Sequence, residues 1–174
     1  MDLPKRKTVR LENYDYSSPG AYFVTICTHD RRCIFSSIAV GALHEAPAEP
    51  LCLTEIGQIV DDVVNTLPDR FPNLFVDKYI IMPNHLHLLL RIEEDRALRE
   101  APLRQRAARS LLAQTIGYLK MNSSKKIHLN DPERKIWQRS YYEHVIRNEK
   151  DYREIWDYID TNPLRWTEDR YYSE

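Results

Sequence analysis

The stretch IIMPNHLHLLL, residues 80–90, sets two histidines one residue apart inside an apolar run. A short apolar run bounded by turn residues reads as a buried strand, and Pro83 and Asn84 supply the turn or bulge ahead of it. Side chains alternate across a strand, so His85 and His87 face one way and Leu86 the other. At the usual rise they stand roughly 7 Å apart along the backbone. Two imidazoles so placed can converge on one cation, or they can be two core histidines bonded to nearby carbonyls. The residues by themselves leave both readings open.

Outward from this strand, the pattern is regular. AYFVTICT (21–28) is rich in β-branched and aromatic residues and predicts a strand, whereas 36–50, with Gly41, Pro47 and Pro50, reads as a loop or hairpin connection. Residues 54–67 carry Ile56, Ile59, Val60, Val63, Val64 and Leu67 at helical spacing, with Thr54 as N-cap and Pro68 as stop. Strands are expected at 74–81 and 85–92, then a charged exposed loop over 93–105. A second helix over about 106–122 has one apolar stripe (Ala108, Leu111, Leu112, Ile116, Leu119) and an opposite surface bearing Arg106, Arg109 and Lys120. SYYEHVI (140–146) is a last strand, and Asn148 caps a helix running to about Thr161, ended by Asn162-Pro163. The order β-α-β-β-α-β-α is that of an α+β, ferredoxin-like split βαβ antiparallel sheet with an added C-terminal helix. One domain over 1–174 is expected, with residues 1–17 as a basic arm.

The formal net charge is −1, which gives no global attraction to nucleic acid. From Asp95 to Arg139, however, eleven Lys/Arg face four Asp/Glu, a local surplus of seven positive charges. Three cysteines, without C-x-x-C spacing, argue for free thiols in a reducing compartment. No apolar stretch reaches the roughly 18 residues of a membrane span, and MDLPKRKTVR has no apolar segment behind it to make a signal peptide. A cytoplasmic protein is expected.

On the last helix, Tyr152, Ile155, Trp156 and Ile159 form a stripe to pack on the sheet. Tyr158 and Asn162 fall together on its flank, one turn apart. They can be a half-buried packing aromatic and a helix terminus, or a phenol and a carboxamide presented side by side.

MPNHLHLLL, WQRSYYEHVIRNEKDY and DYIDTNPLRW together resemble the signatures of REP-associated tyrosine transposases, relatives of the single-tyrosine HUH transposases. GAYFVTICTHDRRCIF and LTEIGQIV extend the resemblance over about residues 18–170. The resemblance implies the HUH endonuclease fold, with the C-terminal helix as the catalytic one. It implies that His85 and His87 are the metal-binding pair, Tyr158 the nucleophile and Asn162 the third metal ligand; related insertion-sequence enzymes often use Gln there. The implied activity nicks and rejoins single-stranded or hairpin DNA through a 5′-phosphotyrosine, with a divalent metal, Mg²⁺ or Mn²⁺, and no organic cofactor.

That chemistry suits the residue types. A phosphodiester resists attack until a cation neutralises it, and a nitrogen-containing ligand set takes Mn²⁺ at least as well as Mg²⁺. Arg106, Arg109, Lys120, Lys125 and Lys126 could follow a DNA backbone, and Trp137, Tyr141 and Tyr142 could stack bases, although WQRSYY reads equally as core and strand edge. His144 reads as a structural histidine or as a neighbour of the metal site. A hairpin-binding protein that does not cut is the alternative. A zinc hydrolase lacks a third ligand at metal spacing. A monomer and a homodimer both fit the sequence.

Overall fold

The computed structural model describes residues 18–38, 51–93 and 110–173. The expected N-terminal arm, most of the charged loop, Arg106 and Arg109 lie outside these residues. The sheet strands are β1 (Gly20–Cys27), β4 (Leu74–Ile81), β5 (His85–Ile92) and β6 (Tyr142–Ile146), joined in the order β4-β5-β1-β6 with every pairing antiparallel. Counting only these four strands along the chain, the order is 4-1-3-2, the ferredoxin-like arrangement expected from the sequence. Two three-residue strands, β2 (Ser36–Ile38) and β3 (Leu51–Leu53), pair as a separate hairpin.

Helix α1 (Glu55–Asn65) starts where Thr54 Oγ1 accepts the amide of Gly57 at 3.0 Å. Gly57 is required there, since a Cβ would stand 1.9 Å from the Phe35 carbonyl oxygen. A short helix, α2 (Leu67–Arg70), follows with Pro68 in its first turn. Helix α3 spans Leu111–Ile127, not about 106–122: Ser110 caps it on the Ala113 amide, and buried Ser123 and Ile127 carry it a turn beyond the apolar pattern. Helix α4 (Glu149–Thr161) is capped by Asn148 on Asp151 and runs at Pro163 into a 3₁₀ segment, Pro163–Glu168.

The sheet is covered on both faces, and the alternation of β5 decides what each face holds. Leu86, Leu88 and Leu90, all fully buried, join Val24, Ile26, Val60, Val64, Leu112, Ile116 and Leu119 in the core beneath α1 and α3. At about 1.5–3 kcal/mol for each such side chain, this face carries the stability. His85, His87 and Leu89 point to the other face, where Phe23, Leu89, Ile146 and Ile159 pack under α4.

A β-bulge in β4 between Val76 and Lys78 docks α4. The bulge leaves Asp77 outside the ladder, where it accepts hydrogen bonds from Tyr152 Oη (2.9 Å) and Arg91 Nε (3.2 Å). Lys78 pairs with Asp160 and lies 4.1 Å from the Trp156 ring centre. Trp156 is therefore a rim residue over a lysine, 37% exposed, and not a member of the buried stripe.

Candidate active site

Antiparallel pairing sets Thr25 opposite His87 and Cys27 opposite His85. Both imidazoles are fully buried, with Nε2 atoms 3.0 Å apart. Asn84, also fully buried, decides the tautomer of His85. Its Nδ2 donates to the Tyr171 carbonyl (2.7 Å), Ser173 Oγ (3.0 Å) and the Arg31 carbonyl (3.3 Å), so its Oδ1 is the atom 2.8 Å from His85 Nδ1. A carbonyl oxygen only accepts, hence His85 carries its hydrogen on Nδ1 and bares a lone pair on Nε2. His87 Nδ1 lies 2.9 Å from Thr25 Oγ1, a hydroxyl that serves either tautomer. With Thr25 accepting, two lone pairs face each other at 3.0 Å, an arrangement that calls for a proton or a cation between them.

Burial holds both rings neutral: it pushes His85 down to about 4 and His87 well below the usual histidine range. The nearby Arg170 adds to both depressions and Arg31 adds to that of His85, while Asp169 opposes it. Neutral imidazole is the ligand form of histidine.

Helix α4 brings Tyr158 over the pair. Its ring meets Phe23 edge-on at 5.9 Å and His87 at 5.3 Å, and its Oη lies 3.3 Å from His87 Nε2. The phenol donates to Asp169 Oδ2 at 3.1 Å. Burial, then the charge and hydrogen bond of Asp169, push its pKa well above the ordinary tyrosine value. One turn on, Asn162 is 3% exposed; its Nδ2 donates to the same Asp169 oxygen at 2.6 Å, and its Oδ1 is buried without a partner among the described residues. Asp169 Oδ1 is held by the Tyr171 amide at 2.6 Å.

These donors fit a metal ion. One ligand atom each from His85, His87 and Asp169 lie within 4.8 Å of one another, so this group could hold a metal. Two nitrogens 3.0 Å apart have the spacing of adjacent octahedral corners with bonds of about 2.1 Å. Asn162 leaves its Oδ1, a neutral donor, buried and unpartnered among the described residues, while its Nδ2 is bonded to Asp169 of this group.

The structure thus brings His85, His87, Tyr158 and Asn162 together, and adds Asp169, which the sequence did not single out. Asp169 follows an irregular 3₁₀ segment that folds back on the helix end; an acid shortly after the Asn-Pro stop was its only signal. The residues expected at DNA are dispersed. Lys120 donates its ammonium to the carbonyls of Gln138 (2.8 Å) and Ser140 (3.0 Å), and burial lowers its pKa to about 8. Lys125 and Lys126 are exposed at the end of α3, the helix on the opposite sheet face. Trp137 donates its indole N–H to Ser123 (2.9 Å) and packs on Phe35, and Tyr141 also packs on the main core. Tyr142 lies on β6 opposite Thr25, on the face of the histidines. His144 bonds Asp151 at the start of α4 (3.0 Å), the structural role. The three cysteines are free, and among the described residues no helix is long and apolar enough to cross a membrane.

No protein-family profile matches the chain. An uncharacterised protein of Haemophilus influenzae is 35% identical over 96% of this chain and 93% of its own length. A second H. influenzae protein, named "Putative REP-associated tyrosine transposase", is 27% identical over 89% of this chain and 77% of its length. A solved REP-associated tyrosine transposase bound to a REP hairpin superposes with a TM-score of 0.57 at 20% identity, covering 90% of this chain and 74% of that one. A four-stranded antiparallel sheet with helices on both faces puts the chain in the fold class of that solved transposase. Within that class, the chain belongs to the REP-associated tyrosine transposases.

Proposed function

We propose that the protein is a metal-dependent endonuclease that nicks and rejoins hairpin-forming DNA through a covalent tyrosine intermediate. The observation that carries this reading is the position of Tyr158 Oη, 3.3 Å from a histidine whose partner ring is fixed with its lone pair inward. His85, His87 and Asn162 Oδ1 would hold the metal, which when bound neutralises the phosphodiester and polarises it. Tyr158 Oη attacks the phosphorus as the P–O3′ bond breaks, giving a 5′-phosphotyrosine and a 3′-oxyanion that takes a proton from solvent water to become the free 3′-hydroxyl. Asp169, already accepting the phenolic hydrogen bond, takes the proton. The covalent bond conserves the phosphodiester energy, so rejoining by the reverse step requires no nucleotide or other organic cofactor. A hairpin substrate is supported by the REP hairpin bound to the solved relative.

Labelled hairpins from the repeats of the source genome, incubated with protein and Mn²⁺, test this. A denaturation-resistant adduct that disappears in Tyr158→Phe is expected. Tight hairpin binding with no adduct in any divalent metal would establish the non-cleaving alternative instead.

A further inference from the structure

The sequence sought the DNA surface on α3, but the charges beside the histidines come from two other segments. Arg31 ends the 3₁₀ turn after β1, and Arg170 follows Asp169. Both are exposed, and among the described residues neither forms an ion pair. Their guanidinium carbons stand 5.5 and 4.6 Å from the ring centre of Tyr171, itself 4.8 Å from the His85 ring. Arg170 also lies 5.2 Å from the ring of Tyr142, at the start of β6, an edge strand among the described residues.

Arg31 is held at some cost. Asp30 and Arg31 both have left-handed backbones, φ 55° and 54°, a conformation that costs a residue with a side chain about 1–2 kcal/mol. Asn84 Nδ2 and Ser173 Oγ fix the turn through the Arg31 carbonyl, at 3.3 and 3.0 Å. Strain of this kind persists where the surroundings over-determine it, and it gathers at ligand clamps. The result is a row of cation and ring, Arg31–Tyr171–Arg170–Tyr142, leading from the histidine pair to the sheet edge.

We propose that this row is the track for the single-stranded DNA flanking the cut, with Arg31 and Arg170 gripping its phosphates and Tyr142 supporting a base. Guanidiniums bind phosphate in a fixed fork, and an aromatic ring stacks any base, so the track reads backbone and not sequence. It rests on the DNA-processing reading above and names the substrate's path through that site.

Fluorescence anisotropy on a blunt hairpin, and on the same hairpin with a short 5′ or 3′ single-stranded tail, tests it. In wild-type protein one tail should tighten binding. The double variant Arg31→Ala, Arg170→Ala should lose that gain, at least about 10-fold, with blunt-hairpin binding unchanged. The slope of log K against log[salt] for the tailed hairpin should shrink by about 1.4, two contacts at about 0.7 each. Tyr142→Ala should weaken the tailed hairpin about 10-fold. If the alanine pair unfolds, Arg31→Gln with Arg170→Gln reads the same loss. A tail that adds nothing to wild-type binding overturns the proposal, as does equal weakening of blunt and tailed hairpins. Equal or tighter binding of an RNA tail overturns the DNA assignment. Adduct formation is scored in parallel: a tail-dependent loss without any wild-type adduct removes the cleavage reading and leaves the track standing.

Discussion

Replacing Asn84 by Ala deletes the carboxamide that sets the tautomer of His85, and its two effects can be measured separately. The amide is fully buried, and its loss strands His85 Nδ1–H and the Tyr171 carbonyl; the Arg31 carbonyl keeps the Ser173 hydroxyl. Two buried polar groups left without partners cost about 1–3 kcal/mol each, so a loss of about 3 kcal/mol is expected. That is a large share of the ~5–15 kcal/mol of a typical domain but leaves the protein folded. At about 2–4 °C per kcal/mol for a chain of this size, the melting temperature should fall by about 6–12 °C. The second effect appears in the folded variant. Without its acceptor, His85 is free to move the proton to Nε2, the atom a metal needs, and removal of such an outer partner typically weakens metal binding about 10- to 100-fold. Urea unfolding followed by tryptophan fluorescence gives the first number and Mn²⁺ titration calorimetry the second. A folded Asn84→Ala protein with wild-type Mn²⁺ affinity would refute the tautomer argument, whatever its stability.

Other expectations follow from the same geometry. Tyr158→Phe removes one oxygen at a half-exposed position and should change stability by less than about 1 kcal/mol while eliminating the DNA adduct; mass spectrometry finding DNA on Tyr142 or Tyr152 instead would displace the nucleophile assignment. Asn162→Ala should lower Mn²⁺ affinity more than Asp169→Ala, whose main effect should fall on the rate of adduct formation; the reverse order would exchange their roles. In metal-free protein, folded His85 stays neutral to about pH 4, whereas the unfolded ring takes a proton near 6.5. Stability should therefore fall as pH drops from about 6.5 to about 4 and level off below, and the part of that fall missing in His85→Gln belongs to this ring. Lys120→Met should leave the salt slope of DNA binding unchanged, because its ammonium is spent on carbonyls, while charge reversal at Lys125 and Lys126 tests whether α3 meets the DNA stem at all.

What the sequence disclosed, and what it hid, divides along the range of the interactions. Helices α1 and α4 each bury one face and so repeat at 3.6 residues, while β4 and β5 show as short apolar runs bounded by turn residues, each a local rule. The end of α3 lies past the apolar stripe that ends at Leu119, in the polar residues Asn122, Ser123 and Ser124. Buried Ser123 in fact back-bonds to the Leu119 carbonyl and accepts the Trp137 indole, a satisfaction supplied from 14 residues away. Strands β2 and β3 are too short to show a period. At the site, the H-x-H pair and the Tyr158–Asn162 turn were legible because each lies on one regular element. Asp169, Arg170 and Asn84 were not: Asn84 joins segments 53, 87 and 89 residues away, and no spacing rule spans such distances.

The bulge at Asp77 has a further consequence for the sheet as a whole. Among the described residues, strand β4 is an edge, with one row of backbone groups turned outward, and a flat edge of that length is a template on which another strand can add. The extra residue breaks the even spacing of those groups midway along the strand, so an incoming partner finds no continuous register. Charged Asp77 and Lys78 stand at the break. The residues that fasten the tyrosine helix thereby also interrupt the outer edge of the described sheet, where a further strand would have to add.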